Sequence, residues 1–356
     1  MAAVVLCLTV PVHAVGSELQ PEDFGLGEFE AQAEAYLDGF DIRLQNSWEE
    51  NLAVLVDTGT EELFGIVKKA VRSAVLLLSV ALFCAMSEPI VGGKTVNSAR
   101  IISLVGSLAV SAISVSDVSS LMGLGVSSVK TLTSFSNVLL PVIAALTAAT
   151  GAITGAAARQ MAAVLFSDVL LNVMNGVLIP LIYAYVALSI AWAATGNGGL
   201  KKTAALFKWI ATTLLVVLLM TYVAYLSLNG IISGSADAAT VKAAKFAIST
   251  AVPVVGGILS DASASILSAA GILKSSVGVF GMLAVLALCL VPFLRLGVHY
   301  LVYKFVAAMA STVGDGPVSA LIESLSSSFG LILGMMGASA FLLLVSLVSS
   351  VMLVTV

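Results

Sequence analysis

The sequence predicts an all-α, polytopic membrane protein with about seven transmembrane helices and one re-entrant or broken segment. Of its 356 residues, 59% are hydrophobic and only 10% are charged, and the mean hydropathy is +1.09. Soluble domains carry roughly 25% charged residues, and disordered chains combine low hydrophobicity with high charge, so both classes are excluded. Several uncharged runs also reach the length of about 20 residues that a membrane span needs.

Residues 1–14 are predicted to be a signal peptide or an N-terminal apolar segment. The apolar run Ala2–Val12 leads into Val12-His13-Ala14, which resembles an A-x-A cleavage site. Export of this segment would place the residues that follow it on the extracytoplasmic side. The three cysteines, at positions 7, 84 and 289, have no paired spacing, and Cys84 and Cys289 are predicted to be small buried hydrophobic residues.

Residues 15–72 are predicted to form an acidic amphipathic extracytoplasmic helical region. Positions 18–62 hold thirteen acids and one base, Arg43. Two matches to the S/T-x-x-E capping box, at Ser47 and Thr58, predict that helices restart there. Two interpretations stay open, a hairpin packed on its own membrane body and a docking surface for another extracytoplasmic protein. Apolar residues recur at helical spacing: Phe29, Ala33, Tyr36, Leu37, Phe40, Leu44 and Trp48.

Residues 73–356 are predicted to form a multi-spanning membrane domain of seven spans, within a range of six to eight. Gly330 and Gly334 form a G-x-x-x-G pattern in the last run, which indicates close helix packing. The candidate spans are Ser73–Ser87, Ile101–Ser116, Thr131–Ala158, Val169–Leu200, Ile210–Ala236, Ser275–Leu294, Leu296–Val313 and Ser324–Val356.

The segment 237–274 is more polar than the spans around it. Pro253 and the pair Gly256-Gly257 predict a helix break, because proline removes a backbone donor and glycine lowers helix propensity. Broken backbone at membrane depth must be buried in protein or line a watery cavity. A re-entrant hairpin or an interfacial loop is therefore expected here.

The two signals for orientation disagree. An exported N-terminus places Lys68, Lys69 and Arg72 outside, whereas the positive-inside rule places them in the cytoplasm. The run Val169–Leu200 contains Pro180, which can break it into two pieces. Such a break would reverse the orientation of the later loops. We adopt the exported N-terminus.

Two polar faces inside the apolar runs are candidate sites. Asp168, Asn172 and Asn175 share one helical face, and a carboxylate within a membrane usually faces a bundle interior or a water path. The face would be either an ion or proton path or an interhelical hydrogen-bond seam. Arg295, His299 and Tyr303 form a second polar face, at i, i+4 and i+8. It would be either a titrating switch or a snorkelling arginine beside a histidine that makes one structural hydrogen bond.

Catalytic, metal and cofactor sites are not expected. The segment Glu88–Thr95 ends like a phosphate-binding loop, but Glu88 replaces its first glycine and would repel phosphate. With His13 in the signal segment, one histidine remains, which excludes multi-histidine metal sites. No basic patch of the density that nucleic-acid binding needs occurs. The chain is therefore predicted to be no enzyme.

Two sequence blocks resemble the stage III sporulation protein AE family. The first block spans Lys245–Ala262, including Lys245, Phe246, Pro253, Gly256, Gly257 and Asp261, and continues through Lys274–Gly278. The second comprises Phe135–Pro141 and Thr147–Gly151. An acidic exported segment followed by a multi-spanning body also agrees with the family, so the resemblance covers most of the chain.

The resemblance implies a membrane subunit of the channel-like complex between mother cell and forespore, needed for forespore development and placed in the mother-cell membrane around the forespore. Its implied partners are other stage III sporulation A-type membrane and ring proteins, a secretion-type ATPase and, indirectly, stage II sporulation protein Q. No catalytic residues are implied. The alternative, from the broken segments, is a small-solute permease of the secondary-transporter kind.

Overall fold

The structure is a computed structural model. The structure describes residues 26–37, 40, 42, 48–91, 96–149, 166, 169–233, 256–314 and 316–352.

The described part of the chain consists of helices and short connections, without a strand. A π-helical turn, Met174–Leu178, runs directly into the fourth helix. The helices are α1 Leu26–Tyr36, α2 Trp48–Val91, α3 Val96–Ala149, α4 Ile179–Thr195, α5 Gly198–Ser233, α6 Gly256–Val313 and α7 Pro317–Met352.

In the described part of the chain, six helices are long and apolar enough to cross a membrane, which confirms the all-α multi-pass class. The predicted number was about seven because hydropathy divides two helices that the structure keeps whole, α3 and α6. Pro141 and Pro292 lie inside these helices without ending them. The six candidate spans in the described residues are Glu49–Ser87, Ile101–Ile143, Val169–Thr195, Gly198–Tyr225, Ser276–Val313 and Pro317–Val348.

Several of these helices exceed one membrane thickness. The span in α3 has 43 residues, or about 65 Å at 1.5 Å per residue. The hydrocarbon core of a bilayer is about 30 Å thick. Hydropathy alone therefore does not show which part of α3 lies in the membrane. In α2, α3 and α6, the polar residues lie on helical segments that are continuous with the apolar segments.

The helices form three hairpins, α2–α3, α4–α5 and α6–α7, whose turns lie at one end of the bundle. Gly106 near the start of α3 contacts Cys84 near the end of α2 and Val318 at the start of α7. Ser107 donates a hydrogen bond to the carbonyl oxygen of Ala193 near the end of α4, at 3.0 Å. We call this the turn end of the bundle.

Helix α7 is the centre of the bundle, since it packs against α3, α4, α5 and α6. A helix in the interior of a bundle is largely apolar, and most buried residues of α7 are apolar, although buried serines accompany them. Its fully buried residues include Leu321, Ile322, Phe329, Met335, Met336, Leu342 and Leu347.

The G-x-x-x-G pattern in α7 serves two neighbours. A Cβ atom at Gly330 would lie 2.9 Å from the ring of Tyr300 in α6, and one at Gly334 would lie 3.3 Å from Leu215 in α5. Small residues at these positions let α7 approach both helices closely, as small-residue motifs do in membranes.

The N-terminal region packs on the membrane body. Ala33 of α1 and Leu37 directly after it are buried, and the rings of Tyr36 and Phe135 of α3 form a T-shaped pair with centroids 6.1 Å apart. The predicted helix restart at Thr58 is wrong, because α2 is continuous there and the Thr58 hydroxyl donates to the Val54 carbonyl at 2.8 Å. Residues 1–25 and 43–47 lie outside the described residues.

Helix breaks were predicted in the run Val169–Leu200 and in the segment 237–274. The run Val169–Leu200 does not break at Pro180; the proline lies at the start of α4, where its missing N–H costs little. This span contains a π turn instead. In the segment 237–274, residues from Gly256 onwards belong to α6 and are continuous with the span that follows, whereas residues 234–255 lie outside the described residues.

Candidate functional site

A buried ionisable group joins α3 to α6. Asp117 of α3 is 4% exposed, and Tyr303 of α6 is fully buried. The Tyr303 hydroxyl donates a hydrogen bond to Asp117 Oδ2 at 2.8 Å. A carboxylate removed from water needs such a donor, because an unpaired buried charge is strongly destabilising. The pair therefore ties two helices together inside the bundle.

His299 lies one turn before Tyr303 on the same helix and is also buried. Its Nδ1 atom donates to the carbonyl oxygen of Arg295 at 2.8 Å. A carbonyl oxygen only accepts, so this bond places the proton of the neutral ring on Nδ1 and leaves Nε2 as an acceptor.

Arg295 extends this polar group to the surface of α2. Its guanidinium donates to Glu62 Oε2 at 3.1 Å, and both side chains are partly exposed, at 44% and 43%. Arg295 and His299, which were predicted to share one helical face, have different surroundings. The arginine forms an interhelical ion pair, and the histidine is buried.

A second polar group lies nearer the turn end, where α5, α6 and α7 meet. Lys208 Nζ donates to Ser327 Oγ at 2.9 Å, which joins α5 to α7. Lys304 Nζ forms an ion pair with Glu323 Oε1 at 2.7 Å, which joins α6 to α7. In a membrane, apolar side chains are about as well accommodated by lipid as by a neighbouring helix. Polar contacts of this kind therefore help to hold the helices together.

The other predicted face lies on the helical segment that leads into α4. Asn172 is exposed, and Asn175 lies in the π turn, where its Oδ1 is buried without a hydrogen-bond partner. The π turn of this segment packs on α3 and α5, and its Met174 contacts Ser339 of α7, whereas Arg295 and His299 lie on α6. Asp168 lies outside the described residues. The structure does not join the two predicted faces into one site.

Of the residues in the family-like block, Lys245, Phe246 and Pro253 lie outside the described residues. Gly256 and Gly257 are the first two residues of α6, and Asp261 follows in its second turn. The other block contributes Phe135 and Leu139, both buried in α3, and Leu139 packs directly on Gly281 of α6. This block therefore supports the contact between α3 and α6.

Asp117 is the functional candidate that the sequence analysis missed, because it was treated as the charge that ends a span. A signal was present: Asp117 is the only charged residue between Arg100 and Lys130. A lone acid in so long an apolar stretch predicts a buried, partnered carboxylate. Its partner lies 186 residues away in the chain, and no local pattern identifies it.

The arrangement supplies charge and hydrogen bonds between helices. In the described residues, no group of three or more His, Cys, Asp or Glu is placed to hold a metal ion. The Asp117 carboxylate accepts the hydrogen bond of Tyr303, and His299 lies one turn before Tyr303 on α6.

Comparison with known proteins gives one family and one curated relative. The model of the stage III sporulation protein AE family matches residues 33–354. Stage III sporulation protein AE of Bacillus subtilis (strain 168) is 30% identical over 207 residues, which cover 56% of this chain and 50% of that protein. The match thus spans about half the length of this relative. No solved structure matches the chain.

Proposed function

The chain belongs to the stage III sporulation protein AE family, and from this premise we propose that it is a non-enzymatic membrane subunit of a transenvelope channel complex linking mother cell and forespore. Family membership gives the chain a role in sporulation, and its six apolar helices fit a multi-pass membrane protein. The complex, the mother-cell membrane and an extracytoplasmic N-terminal region are parts of the proposal.

The observation that carries the proposal is the two-part character of α2. Its first half is acidic, with exposed Asp57 and Glu61 one turn apart on one face. Its second half is apolar and packs on α6 and α3. One uninterrupted helix therefore connects an acidic surface to the membrane bundle, as a subunit that receives an extracytoplasmic ring protein would require.

Helix α2 supplies a test of the acidic surface. The variant Asp57→Lys/Glu61→Lys reverses two exposed charges, and Lys130→Glu/Lys202→Glu is a control that reverses two exposed charges elsewhere. Tagged full-length protein is purified from sporulating cells in a gentle detergent, and the ring proteins that accompany it are measured. We expect wild type and control to recover them, and the α2 variant to lose most of them.

Two results would contradict the proposal. If wild type recovers no ring protein although the partners are present in the cells, the chain is no subunit of their complex. If both double variants lose the ring proteins equally, the effect is one of general charge and not of the α2 surface. Equal accumulation of the three proteins in the membrane is the control for folding.

A second candidate function is that of a small-solute permease. It is favoured by the buried Asp117 and by the π turn containing the unpartnered Asn175 Oδ1, since π turns are frequent at functional sites. Asp117→Asn separates the two functions, as does Asp168→Asn on the predicted face outside the described residues. A permease that uses the carboxylate should lose transport while the complex still assembles, whereas a scaffold should keep its function or fail to assemble.

A further inference from the structure

An apolar groove runs along the surface between α2 and α6. Residues 71–78 of α2 and 301–309 of α6 line it, its volume is about 450 Å³, and all nine lining side chains are apolar. Large side chains on its walls are exposed, including Val75 at 58%, Leu301 at 64% and Phe305 at 66%. An open apolar channel of this kind fits an extended hydrocarbon chain.

Cations stand at one end of the groove. Lys68, Val71 and Val75 share one face of α2, at i, i+3 and i+7, and Arg72 lies one turn beyond Lys68. Both cationic side chains are exposed. Helical side chains lean towards the N-terminus of their helix, so the guanidinium of Arg72 lies over the turn that contains Lys68. The two charges therefore flank the groove where its apolar lining begins.

The α6 wall of the groove also has a cation at this end. Arg295 lies two turns before Val302 on one face of α6, so it stands beyond the same end of the groove. Glu62 already pairs with Arg295 at 3.1 Å, and Glu61 is seven residues from Lys68, about 10 Å along the helix axis. The acids of α2 thus leave the charges of Lys68 and Arg72 available to a ligand.

We propose that this groove binds one acyl chain of an anionic phospholipid, whose headgroup phosphate is held by Lys68 and Arg72. The chain runs from the cations towards the turn end, along walls that contain no polar side chain. This assignment is independent of the proposed function, since it concerns the exposed apolar surface of α2 and α6 alone. A neutral lipid would fill the groove but would leave Lys68 and Arg72 without an anion. A free phosphate would pair with these cations but would leave the groove empty.

The test uses the full chain, purified in a neutral detergent and titrated with short-chain phosphatidylglycerol, short-chain phosphatidylcholine or inorganic phosphate. The midpoint of thermal unfolding reports binding, because a ligand that binds the folded state raises it. Each cation near an anionic headgroup contributes about a fivefold preference. We expect wild type to prefer phosphatidylglycerol about tenfold or more, and inorganic phosphate to have little effect.

Variants separate the two parts of the site. Lys68→Gln/Arg72→Gln should abolish the preference, whereas the charge-conserving Lys68→Arg/Arg72→Lys should keep it. Val75→Trp should weaken binding of both lipids by filling the groove. The matched controls are Lys202→Gln, which removes an exposed cation elsewhere, and Val217→Trp, which enlarges a side chain that is 51% exposed on α5; both should behave as wild type.

Several results would overturn the assignment. Equal affinity of wild type for the two lipids would remove the role of the cations, and an unchanged Val75→Trp would remove the role of the groove. Equal stabilisation by inorganic phosphate would show an anion site without a lipid. A Val75→Trp variant that binds lipid normally but loses self-association would show that a second copy of the chain occupies the groove.

Discussion

The packing of α3 against α7 at Gly125 gives the sharpest prediction. Gly125 of α3 faces α7, and a Cβ atom there would overlap the side chain of Ile332. Gly123 lies on the same helix, two residues earlier, and a Cβ atom there would meet nothing within 4 Å. The variants Gly125→Ala and Gly123→Ala therefore add the same methyl group to the same helix, and only one of them meets a neighbour.

The expected magnitudes follow from two opposing effects. Replacing glycine by alanine within a helix gains about 1 kcal/mol of helix propensity, and both variants share this gain. Overpacking a well-filled core costs about 1–3 kcal/mol, and only Gly125→Ala carries this cost. The difference between the variants is therefore about 1–3 kcal/mol, with Gly125→Ala the less stable protein.

Thermal unfolding in detergent, followed by circular dichroism, measures this difference. At about 2 °C per kcal/mol for a large domain, Gly125→Ala should unfold on the order of 2–6 °C below Gly123→Ala. Equal midpoints for the two variants would refute the close approach of α3 and α7. A midpoint for Gly123→Ala far below that of wild type would show that Gly123 faces a neighbour rather than an open surface.

Two further predictions concern contacts of α6. Tyr303→Phe removes the hydrogen bond to Asp117 and should cost about 1–3 kcal/mol of unfolding free energy, whereas Tyr183→Phe at an exposed position should cost little; equal losses in denaturant titrations would argue against the buried pair. Gly330→Ala should lower stability by driving a methyl group into the ring of Tyr300, and Tyr300→Ala in the same chain should recover part of the loss. A double variant as unstable as the sum of the single variants would show that the two residues are not in contact.

The length of the helices shows where sequence reasoning reached its limit. Hydropathy divided α6 into Ser275–Leu294 and Leu296–Val313, because Arg295 and Lys304 interrupt the apolar run. The structure keeps α6 whole, because a charge interrupts a hydropathy run but does not break a helix. Both cations form ion pairs with acids on neighbouring helices, Glu62 and Glu323, and these partners are not visible in the local sequence.

The candidate site was predicted in part for the same reason. Arg295 and His299 were identified because they recur at helical spacing, which is a local property. Asp117 was missed because its significance depends on Tyr303, and that contact requires α3 and α6 to run antiparallel in one particular register. A shift of either helix by one turn, about 5 Å, would separate the two side chains.

The sequence by itself determined that this protein dissolves in lipid as a set of helices and that its first helical region is acidic. These properties are sums over neighbouring residues, because the free energy of transfer to a membrane accumulates along a segment. Only the tertiary structure decided which polar side chains meet, that α7 lies at the centre, and that α2 and α6 leave an apolar groove beside Lys68 and Arg72. These properties depend on how each helix is rotated and placed against its neighbours, which is set by packing between residues far apart in the chain.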